Sequence, residues 1–288
     1  MRALFASAVA LAFALSATAA LAQNEQQPTG AKTATAPPHS APLPRDTIKR
    51  LKGSDPAQVK AALDDVRLAA KDGAPAVPAI TEVLRAGLSP TLTQAAIETL
   101  ADTESEAASD VLAWYARHRN VVLRRAAVQA LGKTRGAVAT KALRAALSDP
   151  DPAVRGTAAT ALGGMSAKDA VDDLFVALDH KVAEAAASIG QLCAAQECDR
   201  LASELGRVPF DIVTSGLDQV LFRGGKEVND DLKVKIVGRV RELGTGEANR
   251  FLREVQGKWL PAWSQRVKQA IDQAVMATSG SPGSGGAR

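Results

Sequence analysis

Aromatic residues are scarce in this 288-residue chain: six Phe, three Trp and one Tyr. The β-branched residues are dispersed among helix formers and no strand signal appears, which excludes a strand-rich fold. Histidine is equally rare. His39, His118 and His180 belong to no His-Glu-x-x-His motif, and no Cys or carboxylate clusters with them at ligand spacing, which argues against a metal centre. The sequence also lacks a Gly-x-Ser-x-Gly elbow, a Walker loop and a Gly-x-Gly-x-x-Gly turn. Gly224-Gly225-Lys226 follows no strand and reads as a helix stop. No catalytic residue, metal or cofactor is therefore assigned. An excess of one charge is missing too: 35 Lys and Arg against 31 Asp and Glu give a net charge of +4. That small surplus favours solubility and mild anion attraction, not a nucleic-acid footprint.

One long apolar run exists, and it stands at the start. Met1-Arg2 precedes the uncharged stretch 3–20, and Ala20-Leu21-Ala22 offers small residues where a signal peptidase reads. Residues 1–22 read as a secretory signal peptide. An uncleaved anchor is the competing reading; the Ala-rich run and the good cleavage site disfavour it. The mature chain is then expected in a periplasm or the medium, with no stable membrane insertion and no nucleic-acid partner. Residues 23–46 are rich in Pro, Ala and Thr and read as a disordered linker. Residues 279–288, Ser-Gly-Ser-Pro-Gly-Ser-Gly-Gly-Ala-Arg, read as a flexible tail.

The intervening 47–278 is organised by a period. Leu100, Leu131 and Leu162 stand 31 residues apart in the settings Ala96-Ile97-Glu98-Thr99-Leu100-Ala101, Ala127-Val128-Gln129-Ala130-Leu131-Gly132 and Ala158-Ala159-Thr160-Ala161-Leu162-Gly163. A fourth copy, 185–190, follows after 27 residues. Self-similarity at such a period predicts a stack of helix pairs, each too small to bury its apolar face alone. In the copy 149–179, Asp151 caps a helix with Pro152 in its first turn, and Val154, Ala158, Ala161 and Leu162 share one stripe. Gly163-Gly164 ends that helix, and 170–178 forms its partner. In the copy before it, Gly132 and Gly136 are placed at the turn.

The string Asp149-Pro150-Asp151-Pro152-Ala153-Val154-Arg155, followed by Ala158-Ala159 and Ala161-Leu162-Gly163, resembles the HEAT repeat. It is most similar to the short bacterial type first named for phycobilisome lyases. The resemblance is strongest over 120–179, recognisable over 89–205, and carried only by helical spacing over 56–87 and 208–278. It implies an all-α, right-handed α-solenoid of six to seven stacked antiparallel helix pairs that binds other macromolecules, usually proteins. In the family, the Asp and Arg of Asp-x-x-x-Arg tie successive repeats together. Asp151 and Arg155 fit, Asn120 and Arg124 fit half-way, and Ser89 and Thr93 do not.

Several residues remain to be placed. Cys193 and Cys198, the only cysteines, fall at a helix-to-helix turn and read as a disulfide; a pair of buried thiols is the alternative. From Ala86 to Ala116 there is no Lys or Arg, while from Val111 to Ser148 there is no Asp or Glu. This polarity reads either as a site for an acidic protein segment or as a ladder of ion pairs between repeats. Arg117, Lys141, Arg144 and Phe175 are the candidate partner-binding residues; for Phe175 a buried position is the competing reading. The last helix, with Trp263, Val267, Ile271 and Val275 at four-residue steps, reads as a cap over the stack, or through Trp259 and Trp263 as a docking surface. The expected function is a non-enzymatic scaffold that grips another protein on a concave face lined by second helices. The alternatives are an enzyme or enzyme accessory of the lyase type, and a nucleic-acid-binding HEAT-like protein.

Overall fold

The computed structural model describes residues 42–279; the expected signal peptide, most of the linker and nearly all of the tail lie outside them. Among the described residues there are fifteen α-helices and no strand, only an isolated bridge between Leu205 and Val208. After α1 (Thr47–Leu51) come seven antiparallel pairs: α2 (Pro56–Ala69) with α3 (Val77–Ala86), α4 (Pro90–Asp102) with α5 (Ser109–Tyr115), and α6 (Val121–Thr134) with α7 (Gly136–Ala146). They continue as α8 (Pro152–Gly164) with α9 (Val171–Asp179), α10 (Glu184–Leu192) with α11 (Ala195–Ser203), α12 (Phe210–Phe222) with α13 (Asp230–Glu242), and α14 (Gly246–Lys258) with α15 (Gln265–Thr278). The pairs stack in chain order as an α-solenoid, as the period predicts.

The starts of the helices are written in the sequence. Asp55, Ser89, Asn120, Asp151 and Thr245 each accept a backbone N–H of the first turn, opening α2, α4, α6, α8 and α14. Each such cap contributes about 1 kcal/mol, and Pro56, Pro90 and Pro152 sit where a missing N–H costs nothing. Ser89 shows that the repeat tolerates a hydroxyl in place of the carboxylate or amide.

From α2 to α12 the first helix of each pair packs directly on the first helix of the next. Ala96, Leu100, Ala127, Leu131, Ala158, Leu162, Ala185 and Ile189, the repeated stripe, are all completely buried. Small residues set the spacing. A Cβ on Gly190 would lie 2.1 Å from the Gly216 carbonyl oxygen, and one on Gly216 would lie 2.3 Å from that of Ala186. The backbones of α10 and α12 therefore touch. Gly132 serves the same end: it lies inside α6 against Ala161, not at the turn expected for it.

The stack changes character after α12. Phe210 and Phe251 meet edge to face, 6.1 Å between ring centroids, where α12 faces α14. Large rings replace Ala and Gly there, the two first helices no longer touch closely, and the closest packing passes to the second helices α13 and α15. At the other end α1 covers α2 and α3, burying Thr47 and Leu51. Leu43 also packs on the core, so ordered contact begins within the segment expected to be linker. The last helix buries Val267, Ile271 and Val275, as a cap should, but it starts at Gln265 and leaves Trp263 in the turn before it.

Gly190→Ala is expected to lower stability by roughly 1–3 kcal/mol, because backbone must move to admit the methyl group. Gly238→Ala, inside α13 with nothing within 4 Å of its Cβ position, is expected to raise it by about 1 kcal/mol. Thermal melts of the two variants check both signs.

Candidate partner-binding face

Lys141, Arg144 and Phe175 lie on second helices and Arg117 in the turn after α5, and ion pairs between repeats account for half of the basic stretch. Asp102 accepts Arg67 from the repeat before it at 3.1 Å and Lys133 from the repeat after it at 3.0 Å. Glu104 pairs with Lys71 at 2.8 Å, Arg124 with Asp149 at 2.8 Å, and Arg125 with Asp151 at 3.5 Å. Arg144 pairs with Asp173 at 2.6 Å and Asp169 at 3.6 Å on the next repeat, and Arg200 with Asp172 at 3.5 Å. The ladder is real, yet the register differs from simple 31-residue alignment: Arg144 and Arg200, not Lys141, reach the acidic start of α9.

Arg124 is the most enclosed of these, its side chain 13 % exposed, and it does two jobs. Both carboxylate oxygens of Asp149 accept from it, and its Nη1 donates to the carbonyls of His118 and Arg119. Arg155 repeats the second gesture on the carbonyls of Asp149 and Pro150. The arginine of the repeat motif thus ties down the turn between repeats. Asp151, the motif acid, reaches back to Arg125. The hydroxyl of Tyr115 donates to the Leu84 carbonyl one repeat earlier, and burial raises its pKa.

What the ladder leaves over defines the site. Arg117, Arg119, Arg135 and Lys141 form no ion pair among the described residues, and Arg117, Arg119 and Lys141 are exposed. Beside Arg117 stands Trp114, 64 % exposed on α5. Its ring separates two recesses. One, about 400 Å³, is lined by Leu84, Arg85, Asp110, Val111, Trp114 and Tyr115; the other, about 650 Å³, by Ala113, Trp114, Arg117, His118 and Arg119. The indole packs edge-on to Tyr115 at 4.8 Å, and His118 accepts the Asn120 N–H through Nδ1, so both rings behind Trp114 are held. A large exposed ring beside Arg117 and Arg119 offers apolar contact area and positive charge on one patch.

Two of the four candidates need correction. Phe175 is 2 % exposed: it is a core residue of α9, and the Arg200 guanidinium lies 3.8 Å over its ring. Val176, the next residue, takes the exposed position instead. Arg144 faces the surface but is engaged by Asp169 and Asp173. Arg117 and Lys141 remain available. Trp114 is what sequence reasoning missed; it is one step past Ala113, the position in register with Arg144 and Phe175, and that one-residue shift turns it outward.

Cys193 and Cys198 are bonded, with Cα atoms 5.2 Å apart, and join the end of α10 to the first turn of α11. Among the described residues no three His, Cys, Asp or Glu side chains converge as metal ligands, and no helix is long and apolar enough to cross a membrane.

A family model described as HEAT repeats matches residues 77–149 and 140–217, over α3 to α12. No curated protein matches the chain. Among solved structures, the chain is similar to the complex of CpcE and CpcF of phycocyanin lyase from Nostoc sp. PCC7120, at 19 % identity over 85 % of this chain and 98 % of that one, with a TM-score of 0.44. It is also similar to the designed armadillo repeat protein YIII(Dq)4CqI, at 15 % identity over 81 % and 98 %, with a TM-score of 0.41.

Arg124→Ala is expected to cost about 2–3 kcal/mol, since Asp149 and two turn carbonyls lose their donor in a half-closed site. Arg144→Ala, a solvated pair, is expected to cost at most about 1 kcal/mol. Chemical denaturation of the two variants tests the order. The carboxyls of Asp151, Asp199 and Asp272 are held below their ordinary range, first by the Val154 N–H, Lys235 and Gln256 respectively. Groups lowered on folding stabilise the fold above their unfolded pKa of about 3.9 and lose that contribution as pH falls through the folded value. Melting temperatures should therefore hold above about pH 5 and drop below about pH 4.

Proposed function

We propose that this solenoid, HEAT repeats over residues 77–217, is an exported, non-enzymatic scaffold that binds an acidic segment of another protein. The contact face is that of the second helices around Trp114, with Arg117, Arg119 and Lys141 as the free cations and Arg144 at its margin. The observation that carries this reading is the exposed indole between two recesses, beside basic side chains that the inter-repeat ladder leaves unpaired. A ring of this kind supplies contact area at low entropic cost, and the surrounding cations steer an acidic partner into place. Export is supported by the apolar start of the chain and by the Cys193–Cys198 disulfide, which suits an oxidising compartment.

A fluorescent oligo-glutamate peptide serves as a defined probe. Its affinity is expected to fall about tenfold, some 1.4 kcal/mol, in Arg117→Glu/Lys141→Glu, and to fall also in Trp114→Ala. Arg144→Ala should change it little. Equal binding by all variants overturns the assignment of this face. Pull-downs from the cell envelope with the same variants would then show whether natural partners follow the same order.

A further inference from the structure

The loosened end of the stack encloses a second site, unrelated to Trp114. A cavity of about 310 Å³ lies where the end of α12, the start of α13 and the turn after α14 meet. Its lining includes Phe222, Arg223, Asp230, Lys233, Trp259 and Trp263. The volume is at the lower end of small-molecule pockets.

Three rings form its apolar side. Trp259 and Trp263 stand at 86° with centroids 5.2 Å apart, and Phe222 lies 6.0 Å from the first and 5.6 Å from the second. Trp259 is 7 % exposed and Trp263 is 36 % exposed, so the enclosure opens to solvent along one ring.

Its polar side is unusual. Lys233 is 5 % exposed yet forms no ion pair among the described residues. Its Nζ donates to the Arg223 carbonyl at the end of α12, the one acceptor it meets among the described residues. Asp230 also lines the cavity, and its charge partly offsets the burial of Lys233, but its carboxylate accepts the Ser264 hydroxyl at 2.5 Å and forms no ion pair with Nζ. Arg223 pairs with the exposed Glu227 at 3.1 Å and donates its Nη1 to the carbonyls of Gly190 and Cys193. Burial lowers the pKa of Lys233, as it does for an ammonium held away from water.

A buried amine with free donors, facing a cavity walled by rings, calls for an acceptor that comes from outside. Rings alone would suit a cation, but Lys233 already lies 5.8 Å from the Trp259 centroid and Lys258 5.8 Å from that of Phe222, so a further cation meets repulsion. We infer that this cavity binds a small aromatic carboxylate, its acid group on Lys233 and its ring against Trp259 and Trp263.

Phenylacetate is the probe, titrated by calorimetry into the full chain carrying Trp114→Phe. In that protein Trp259 and Trp263 are the only indoles, so a saturable fluorescence change places binding in this cavity. Expected are saturable heat and fluorescence changes with phenylacetate. Phenylacetamide, which lacks the charge, and acetate, which lacks the ring, should each bind at least tenfold more weakly. Lys233→Met should abolish binding, and Trp263→Ala, a half-exposed position that leaves the core intact, should weaken it at least fivefold by calorimetry. No saturable response to phenylacetate, or equal binding of phenylacetamide, overturns the inference. So does full binding by folded Lys233→Met; should that variant not fold, undiminished binding by Trp263→Ala overturns it in its place.

Discussion

Backbone-to-backbone contact between successive first helices is the constraint on which the architecture rests. Helices whose facing residues are Ala and Gly approach until main chain meets main chain, as α10 and α12 do at Gly190 and Gly216. Dispersion between such surfaces is summed over many atoms and falls away within an ångström, so the spacing of the stack is fixed tightly on this side. The second helices inherit their positions from it. Their own links include ion pairs such as Arg144 with Asp173, which hold over a wider range of separation and in contact with water.

Much of this was legible in the sequence. The repeated Ala-x-x-x-Leu stripe gave the buried face without error, and the caps Asn120 and Asp151 gave the helix starts. Such signals are local: a cap and its N–H lie two or three residues apart. What the sequence hid was relational. Whether Phe175 faces solvent or core depends on a rotation of α9 that one residue of register decides, and the same shift concealed Trp114. Gly132 looked like a turn because glycine serves turns and close approach alike, and only the neighbouring helix distinguishes the two. The charge polarity admitted two readings; the structure puts Lys133, Arg124, Arg125 and Arg144 in the ladder and leaves Arg117, Arg119, Arg135 and Lys141 without an ion pair among the described residues.

The family match ends at residue 217, inside α12, and the packing changes at the same place. Up to there each pair is a variation on one small-residue theme. From α12 onward, Phe210, Phe222, Phe251, Trp259 and Trp263 account for half of the chain's ten aromatic residues. Rings of that size hold first helices apart and leave room between them, so a cavity with a buried amine arises where the repeat pattern lapses. Two kinds of surface therefore occupy one chain, an open face made by regular stacking and an enclosed hollow made by its interruption.

The Cys193–Cys198 bond falls in the copy where the period contracts from 31 to 27 residues. With only Ala194 between the bonded end of α10 and the start of α11, this hairpin has almost no connecting chain to absorb torsion. The covalent clasp limits how far α11 can swing away from α10. The helix pair that precedes the aromatic end is thereby held by a bond that heat and denaturant leave intact and that a reductant would open.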